Sequence, residues 1–340
     1  MITNSNFVML TILIGELNMS KSDEFIGGMT WGWTGVRGTW AQEEAMRSME
    51  LMAERLNVNW TAITFAAYQA HPQATTIAYQ DAPTVTDDEI RNAIYRAKQL
   101  GLNVCLKPVV NCADGTWRAH INFFDHDVPC EPKWSEWFAS YTSFILHYAV
   151  IAEETGCEML CIGCEMVQTD RREAEWRTLI DSVRAVYTGT ITYNCDKYQE
   201  DRVSWWDAVD VISASGYYPI GDWDRQLDRI EAVVKKHNKP FFFMEAGCPS
   251  RQGSEHLPND WNLAGAPDES VQKRYLETMF ERCDKRDWVR GFMLWDWPAI
   301  LYDESEASAN DDYCMYAKAG EAAVSNYYAQ KVKEWETTAR

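Results

Sequence analysis

Basic residues are scarce in this chain. Its 340 residues include 32 lysines and arginines against 51 aspartates and glutamates, which gives a formal net charge of −19. Nucleic acids bind proteins mainly through lysine and arginine contacts to phosphates, and anionic membrane surfaces attract the same residues. We therefore expect neither nucleic acid nor a membrane surface as a partner.

Long apolar runs are also missing. No stretch of the sequence approaches the roughly 18 apolar residues that a membrane span needs. The first residues contain one short apolar stretch, 7–14, but they lack the basic start and the small-residue cleavage site of a signal peptide. We expect residues 1–22 to form a disordered or extended tail, and we expect a cytoplasmic location, with secretion as the less favoured alternative.

The ten cysteines do not form a recognisable disulfide framework. Cys105, Cys161, Cys195 and Cys283 fall inside apolar or helical runs, where free cysteine behaves as a small buried hydrophobic residue. A chain of this length needs no disulfides for stability, so we predict reduced thiols. Cys161 and Cys164 form a C-x-x-C pair, but no second pair and no nearby histidine completes a zinc site.

Several motifs of catalysis and cofactor binding are absent. No G-x-G-x-x-G follows the first apolar run, which weighs against a dinucleotide-binding fold, and no G-x-S-x-G marks a hydrolase nucleophile. The six histidines include no H-x-H pair. Residues 120–127, HINFFDHD, could bind a cation, but a loop that covers a cleft is the favoured interpretation. We therefore expect no cofactor and no metal.

Aromatic residues, in contrast, are abundant. The chain has 16 tryptophans, 16 tyrosines and 12 phenylalanines. Tryptophan is rarely completely buried, so this number exceeds what a core alone normally needs. We expect some of these side chains to stack against a flat, weakly polar ligand.

Eight apolar, β-rich runs alternate with helical stretches. The runs lie at residues 25–33, 60–68, 103–111, 158–166, 188–196, 209–219, 239–249 and 289–298. Most are continuously apolar, which is typical of a parallel sheet that is covered on both faces. Eight such units without an internal linker predict an α/β fold, a single-domain (β/α)8 TIM barrel over residues 23–335. A doubly wound open sheet is the alternative.

Helices are predicted between the runs and after the last one. They lie at residues 40–56, 86–100, 134–155, 171–187, 223–237 and 270–286, with a C-terminal helix at 315–335. Thr86 and Glu89 have the spacing of a capping box, and Gly101 ends that helix. Between the fifth and sixth runs there is room only for a small helix near Trp205.

The C-terminal ends of barrel strands carry the catalytic residues of this fold. In this sequence those ends are rich in polar and aromatic side chains: Thr30, Trp31, Trp33, Lys107, Asn111, Trp117, Glu165, Asn194, Asp196, Tyr217, Tyr218, Glu245, Trp295, Asp296 and Trp297. Because side chains alternate along a strand, only one member of each W-x-W pair is expected to face the cleft.

Two of these residues are glutamates that directly follow apolar residues of a run. Glu165 and Glu245 would carry costly buried charges unless they face the barrel mouth, so a functional role is favoured. The fourth and seventh strands face each other across the mouth. A pair of opposed carboxyl groups suits glycoside hydrolysis, in which one is the nucleophile and the other protonates the leaving oxygen and then activates water. Their separation distinguishes retention from inversion, and it is not encoded in the sequence.

Six short motifs resemble one family of glycosidases. They are GMTWGW at 28–33, LKPVVN at 106–111, IGCEM at 162–166, SGYYP at 215–219, FMEAG at 243–247 and WDW at 295–297. Together, over residues 25–330, they resemble glycoside hydrolase family 113, the β-mannanase family. This family falls within the clan of retaining (β/α)8 glycosidases that carry the two acids on strands four and seven.

The resemblance implies a role for each site residue. Glu165 would be the acid/base, Glu245 the nucleophile, and Tyr217 or Tyr218 the residue that orients the nucleophile. The predicted substrate-binding residues are Trp31, Trp117 and Trp295 as sugar platforms, Lys107 and Asn111 as hydroxyl ligands, and Trp33, Asn194, Asp196 and Trp297 from their positions at the rim. The resemblance thus implies a retaining hydrolase of β-linked saccharides, with β-mannan favoured.

Two departures from the family pattern leave the substrate open. Many clan members have asparagine before the acid/base, where this chain has Cys164, and Val109 stands where a polar residue would be expected. A β-1,4-xylanase or another β-glycosidase of the clan is the nearest alternative. A non-catalytic sugar-binding barrel is the alternative from another class, although such proteins typically lose one acid. The oligomeric state and endo or exo action also stay open.

Overall fold

Eight parallel strands close into a barrel in the order of the sequence, each followed by a helical connection. The structure, a computed structural model, describes residues 25–338. The strands are β1 Ile26–Trp31, β2 Trp60–Gln69, β3 Asn103–Cys112, β4 Met159–Cys164, β5 Thr190–Cys195, β6 Val211–Ser215, β7 Phe241–Ala246 and β8 Val289–Trp297. This arrangement confirms the predicted (β/α)8 TIM barrel, and the predicted tail, residues 1–22, lies outside the described residues.

The helices surround the barrel. They are α1 Glu43–Leu56, α2 Asp87–Gln99, α3 Trp134–Thr155, α4 Glu173–Arg184, α5 Trp223–His237, α6 Glu269–Cys283 and α7 Ala319–Thr338. A short 3-10 helix, Trp206–Ala208, connects β5 to β6, as predicted. The predicted start of α1 is too early, because Trp40 is buried in the turn that precedes the helix. No helix among the described residues is both long and apolar enough to cross a membrane.

The interior of the barrel changes from apolar to polar along its axis. Its lower part is apolar, filled by Ile26, Trp60, Ala62, Cys105, Met159, Cys161, Val211, Phe242, Met244 and Met293. Two residues further along several strands, the inward positions become polar and are completely buried: Thr30, Thr64, Lys107, Asn194 and Ser213. Polar groups at this depth require partners, and Lys107, Asn194 and Ser213 form hydrogen bonds in this layer beneath the C-terminal mouth.

Aromatic side chains fill the layer between strands and helices. Trp137 stacks on Tyr141 with a centroid distance of 4.6 Å, and Trp176 stacks on Trp205 at 4.8 Å. The Tyr141 hydroxyl donates to the carbonyl of Ile162 in β4 at 2.9 Å. Most tryptophans on helices therefore serve packing, as predicted, and this packing holds the end of β4 in place.

Gly163 shows how tight the packing at the end of β4 is. A Cβ atom at this position would lie 2.9 Å from the rings of both Trp176 and Tyr193 and 3.1 Å from the Tyr141 hydroxyl. Cβ atoms do not approach other atoms this closely without displacing them. Glycine therefore allows the aromatic layer to reach the backbone directly before the carboxylate at position 165.

The ten cysteines, which all lie between residues 105 and 314 of the described region, form no disulfide. All of them are buried except Cys130. The arrangement agrees with the predicted reduced thiols. The cytoplasmic location stays a prediction.

The start of α2 contains the predicted capping box. The Thr86 hydroxyl accepts from the Glu89 backbone N–H at 3.2 Å, and the Glu89 carboxylate accepts from the Thr86 N–H at 2.9 Å. The same carboxylate accepts from the backbone N–H groups of Gly38, at 2.8 Å, and Trp40, at 3.1 Å. Glu89 thus fastens the loop after β1 to α2.

Two substitutions test this junction. Thr86→Ala should lower the free energy of unfolding by about 1 kcal/mol, because it removes one helix cap. Glu89→Ala should lower it further, because the N–H groups of Gly38 and Trp40, the latter buried, also lose their acceptor. Denaturant unfolding measures both, with Glu44→Ala, an exposed acid in the first turn of α1, as the control. Equal losses for the two variants would contradict the role of Glu89.

Candidate active site

Two glutamates lie buried at the C-terminal mouth of the barrel. Glu165 follows β4 directly and is 8% exposed, and Glu245 lies near the end of β7 and is 4% exposed. The backbone of Glu165 is left-handed, with φ 51°, and its N–H donates to the Asn194 carbonyl at 2.8 Å. Such a conformation is costly for a non-glycine residue and is typical of functional sites.

Register shifts help to aim the side chains at the mouth. The β4–β5 pairing shifts between Cys161 and Cys164, and the β6–β7 pairing shifts between Ala214 and Ser215, whose partner is Glu245. An irregularity of this kind re-aims a side chain that would otherwise follow strict alternation. Cys164 and Glu245 consequently meet, with the Cys164 Sγ 3.3 Å from the Glu245 Oε1.

Glu245 receives three hydrogen-bond donors. The Lys107 ammonium donates to Oε1, the Tyr217 hydroxyl donates to Oε2 at 3.0 Å, and the Cys164 thiol donates to Oε1. Burial alone would raise the pKa of Glu245, but the charges of Lys107 and Arg118 outweigh it and hold this pKa below its ordinary value. Glu245 is therefore kept ionised, which a carboxylate nucleophile requires.

Glu165 is held by a different pair of donors. The Arg118 Nη2 donates to Oε2 at 2.8 Å, and the Ser215 hydroxyl donates to Oε1 at 2.7 Å. Arg118 comes from the loop after β3 and also donates from Nε to the Cys164 carbonyl at 2.9 Å and from Nη1 to the Asn111 Oδ1 at 3.0 Å. These contacts fix the guanidinium beside Glu165.

The contacts of the two glutamates join into one closed network. The Lys107 Nζ donates to the Asn194 Oδ1 at 2.8 Å, and the Asn194 Nδ2 donates to the Ser215 Oγ at 3.0 Å. On the other side, the Arg118 Nη2 lies 3.3 Å from the Cys164 Sγ. We call this set the carboxylate network: Glu165, Arg118, Cys164, Glu245, Lys107, Asn194 and Ser215. It contains two carboxyl groups and two cations.

The choice between the two tyrosines is settled by the direction of their side chains. Tyr217 contacts Glu245, whereas the completely buried Tyr218 donates its hydroxyl to Glu200. Glu200 in turn accepts from Arg229 at 2.6 Å. The prediction that Tyr218 could orient the nucleophile is therefore wrong, because adjacent residues point to opposite faces and Tyr218 faces the outer layer.

The W-x-W pairs divide as alternation predicts. Trp33 and Trp295 lie together near the mouth, with a centroid distance of 5.3 Å, and pack with Tyr217. Trp31 and Trp297 are completely buried: Trp31 packs on Trp40, and Trp297 donates to the Ser48 carbonyl at 3.0 Å. Their predicted contact with substrate is therefore wrong, because both side chains face the outer core.

The other predicted substrate-binding residues range from completely buried to exposed. Lys107 and Asn194 are completely buried within the carboxylate network, so they hold its two glutamates rather than present free groups to a sugar. Asn111 is half-buried and accepts from Arg118. Trp117 is 42% exposed in the loop after β3, and its role as a sugar platform stays a prediction. Asp196 is 6% exposed and lies at the end of β5.

Sequence reasoning missed four residues of the site. Arg118 and Ser215 complete the carboxylate network, while Tyr313 and Trp261 extend the aromatic group around Trp295. Ser215 lies within the SGYYP motif, and Arg118 follows Trp117 directly. Their closeness in the sequence to predicted site residues was a sign that they belong to the site. Trp261 comes from an irregular loop after β7, where no pattern indicates its direction.

Asp296 is a further buried acid at the end of β8. Burial, together with the negative charges of Asp312 and Glu245, raises the pKa of Asp296 to about 8. The raised pKa favours the neutral form of this carboxyl beside Glu245. Among residues 25–338, no group of three or more histidine, cysteine, aspartate or glutamate side chains is placed to hold a metal ion.

Comparison with known proteins decides the family. The model of glycoside hydrolase family 113 matches residues 29–318. The chain belongs to glycoside hydrolase family 113. This confirms the resemblance found in the sequence and the predicted class of enzyme, a glycoside hydrolase. No curated protein sequence was found to match the chain.

Solved structures agree with membership of family 113. One GH113 β-1,4-mannanase, solved as a complex, is 55% identical over 90% of this chain and 99% of its own, with a TM-score of 0.89. The GH113 β-mannanase from Alicyclobacillus acidocaldarius, in complex with ManMIm, is 45% identical over 91% of this chain and 98% of its own, with a TM-score of 0.88. A β-glucuronidase from Ruminococcus gnavus, 14% identical over 90% of this chain and 50% of its own with a TM-score of 0.59, shares the fold alone.

The contact between Lys107 and Glu245 predicts how activity depends on pH. A nucleophilic carboxylate acts only when ionised, so activity is lost as the pH falls through its pKa. Lys107→Met removes a cation that lowers the pKa of Glu245. The acidic limb of kcat/KM should therefore move to higher pH, by about 1 unit or more.

The pH profile of kcat/KM measures this shift. Lys235→Met removes an exposed lysine that pairs with Glu231 on α5, and its acidic limb should match that of the wild type. Circular dichroism would first establish that both variants are folded. An unchanged acidic limb in folded Lys107→Met would show that Lys107 does not control the ionisation of Glu245.

Proposed function

We propose that this chain hydrolyses β-1,4-linked mannan or manno-oligosaccharides by double displacement, with retention of the anomeric configuration. The observation that carries the proposal is the pair of buried glutamates, each held by its own cation across one barrel mouth. Similarity over nearly the whole chain to proteins described as β-1,4-mannanases supports the choice of mannan. Glu245 and Glu165 take the roles of nucleophile and acid/base.

In the first step, a carboxylate oxygen of Glu245 attacks the anomeric carbon of the bound sugar. The bond from that carbon to the bridging oxygen breaks, and Glu165 delivers its proton to the departing oxygen. The donors on Glu245 fix its orientation before the attack, which reduces the entropy that must be lost on reaching the transition state. The product of this step is a glycosyl ester on Glu245 and a free leaving saccharide.

In the second step, Glu165 acts as a base. It takes a proton from a water molecule, whose oxygen attacks the anomeric carbon and displaces Glu245 as a carboxylate. Lys107 stabilises the negative charge that returns to Glu245, since its ammonium contacts the Oε1 atom. The enzyme then holds the same two carboxyl groups as at the start, with the proton back on Glu165.

Aromatic side chains lie beside the reacting centre. Trp33, Trp295, Tyr217 and Tyr313 form one cluster beside Glu245. Such rings present flat apolar faces to the C–H groups of a sugar and exclude water from the reacting centre. We assign them to the binding of the sugar that is attacked.

A panel of soluble β-1,4-linked oligosaccharides tests the proposal. Manno-, xylo- and cello-oligosaccharides would be incubated with the purified chain, and the products separated by chromatography. We expect the highest kcat/KM with the manno-oligosaccharide, and a loss of at least about 10³-fold in Glu245→Gln.

Two results would contradict the proposed function. Faster hydrolysis of xylo- or cello-oligosaccharide would reassign the substrate. Binding of mannan with equal affinity by wild type and Glu245→Gln, without hydrolysis by either, would favour a non-catalytic sugar-binding barrel.

A further inference from the structure

The backbone that carries Glu165 is fastened to β5 by two consecutive N–H groups. The Glu165 N–H donates to the Asn194 carbonyl at 2.8 Å, and the Met166 N–H donates to the Tyr193 hydroxyl at 3.2 Å. The side chain of Asn194 belongs to the carboxylate network, so alternation directs the neighbouring Tyr193 to the layer outside the sheet. The two bonds hold the peptide groups on either side of the Glu165 Cα atom.

Asp170 provides the acceptor for the Tyr193 hydroxyl. Its side chain is 3% exposed, and its Oδ1 accepts from Tyr193, while its Oδ2 has no hydrogen-bond partner among the residues that the structure describes. A hydroxyl has one proton, so directing that proton to Asp170 leaves the oxygen of Tyr193 to accept from Met166. A buried carboxyl with one unsatisfied oxygen lowers stability, and such groups concentrate at functional sites.

Asp170 can accept this hydrogen bond in either ionisation state. Burial raises the pKa of Asp170 to about 7, and the hydrogen bond from Tyr193 opposes this rise only in part. The neutral form is thus accessible near neutral pH, and its carbonyl oxygen still accepts a hydrogen bond. The link from Asp170 through Tyr193 to Met166 therefore does not depend on a charge.

Two indole groups fix the turn that carries Asp170. The Trp176 Nε1 donates to the Thr169 carbonyl at 3.0 Å, and the Trp205 Nε1 donates to the Asp170 carbonyl at 3.0 Å. Both rings also pack on Tyr193, with centroid distances of 5.1 Å for Trp176 and 4.9 Å for Trp205. The same two rings thus set the positions of the turn and of the tyrosine relative to each other.

Tyr193 and Asp170 are too deeply buried to contact a saccharide in the mouth. Any effect of this pair on catalysis must therefore act through the backbone at Glu165. That backbone is left-handed, with φ 51°, and such a conformation persists in a non-glycine residue only where surrounding contacts maintain it. The Met166 N–H is one of these contacts, since it directly follows the strained residue.

We propose that Tyr193 and Asp170 are positioning residues for proton transfer by Glu165. Through the Met166 N–H they hold the left-handed backbone at Glu165, which keeps its carboxyl aimed at the oxygen of the leaving sugar. A displacement of about 1 Å in a catalytic group can lower a rate about 10²-fold, so a backbone contact of this kind matters for proton transfer. This inference rests on the proposed function, since it concerns the acid/base of that reaction.

Two leaving groups of different acidity separate proton transfer from nucleophilic attack. A 2,4-dinitrophenyl β-mannobioside releases a phenolate that needs little protonation, whereas mannotetraose releases a sugar hydroxyl that needs the proton of Glu165. In Tyr193→Phe, kcat/KM should fall at least about tenfold for mannotetraose and stay within about threefold of the wild type for the aryl glycoside. Glu165→Ala is the reference, and it should show the same selective loss at a larger amplitude.

Three further variants complete the design. Tyr187→Phe is the matched control, because the hydroxyl of this buried tyrosine also bonds backbone beside β4 but at its start, donating to the Cys157 carbonyl at 2.9 Å. It should change neither rate. Asp170→Asn keeps an acceptor for Tyr193, so its kcat/KM for mannotetraose should stay within about threefold of the wild type. Asp170→Ala removes the acceptor, should show the selective loss, and replaces Tyr193→Phe should that variant fail to fold.

Equal losses on both substrates in folded Tyr193→Phe, or in Asp170→Ala where the first variant is unfolded, would overturn the proposal, because a general disturbance of the mouth affects both rates. An unchanged rate on mannotetraose, or a selective loss in Tyr187→Phe, would overturn it as well. Equal losses on mannotetraose in Asp170→Asn and Asp170→Ala would contradict the role of Asp170 as an acceptor. Failure of the proposed function is distinct, because the wild type would then hydrolyse neither substrate, or Glu165→Ala would lower both rates equally.

Discussion

The site depends on the pairing of two buried carboxyl groups with two buried cations. Two glutamates alone at the bottom of a cleft would repel each other, and each would lose the stabilisation of water. Lys107 and Arg118 remove both penalties, and each also donates hydrogen bonds of fixed direction. Removing one partner of such a pair typically costs about 3–5 kcal/mol, because the other charge stays buried. The carboxylate network therefore stabilises the mouth of the barrel as well as positioning its two glutamates.

The barrel positions and buries the residues of the carboxylate network. Its apolar lower interior supports a polar upper layer, so that Lys107, Asn194 and Ser215 meet in the buried centre of the mouth. Register shifts near the ends of β4 and β7 bring Cys164 and Glu245 into contact. Outside the barrel, the close contact of Trp176 and Tyr193 with Gly163 leaves the end of β4 little freedom to move. Close packing on the outer face of the barrel thus fixes the positions of the side chains at its mouth.

Most of the fold and the two key carboxyls were predictable from the sequence, since they follow from local patterns. Continuous apolar runs identified the strands, and a charge at the end of such a run identified Glu165 and Glu245. The directions of adjacent side chains were harder to predict from the sequence. SGYYP contains both Tyr217 and Tyr218, and only the structure shows that they face opposite sides. Arg118 follows the predicted Trp117 directly, but its contact with Glu165 was not predictable, because it reaches Glu165 from a loop, where no periodicity fixes the direction of a side chain.

The central claim is that Glu245, held ionised by the carboxylate network, forms a covalent bond to the sugar. A 2-deoxy-2-fluoro-β-mannosyl fluoride tests it directly, because the fluorine at C2 slows both steps while the fluoride leaving group still allows the first. Mass spectrometry of the trapped protein after proteolysis then locates the sugar. The account predicts one glycosyl group per chain, on the peptide that contains Glu245. A sugar on Glu165 or on any other residue would contradict it.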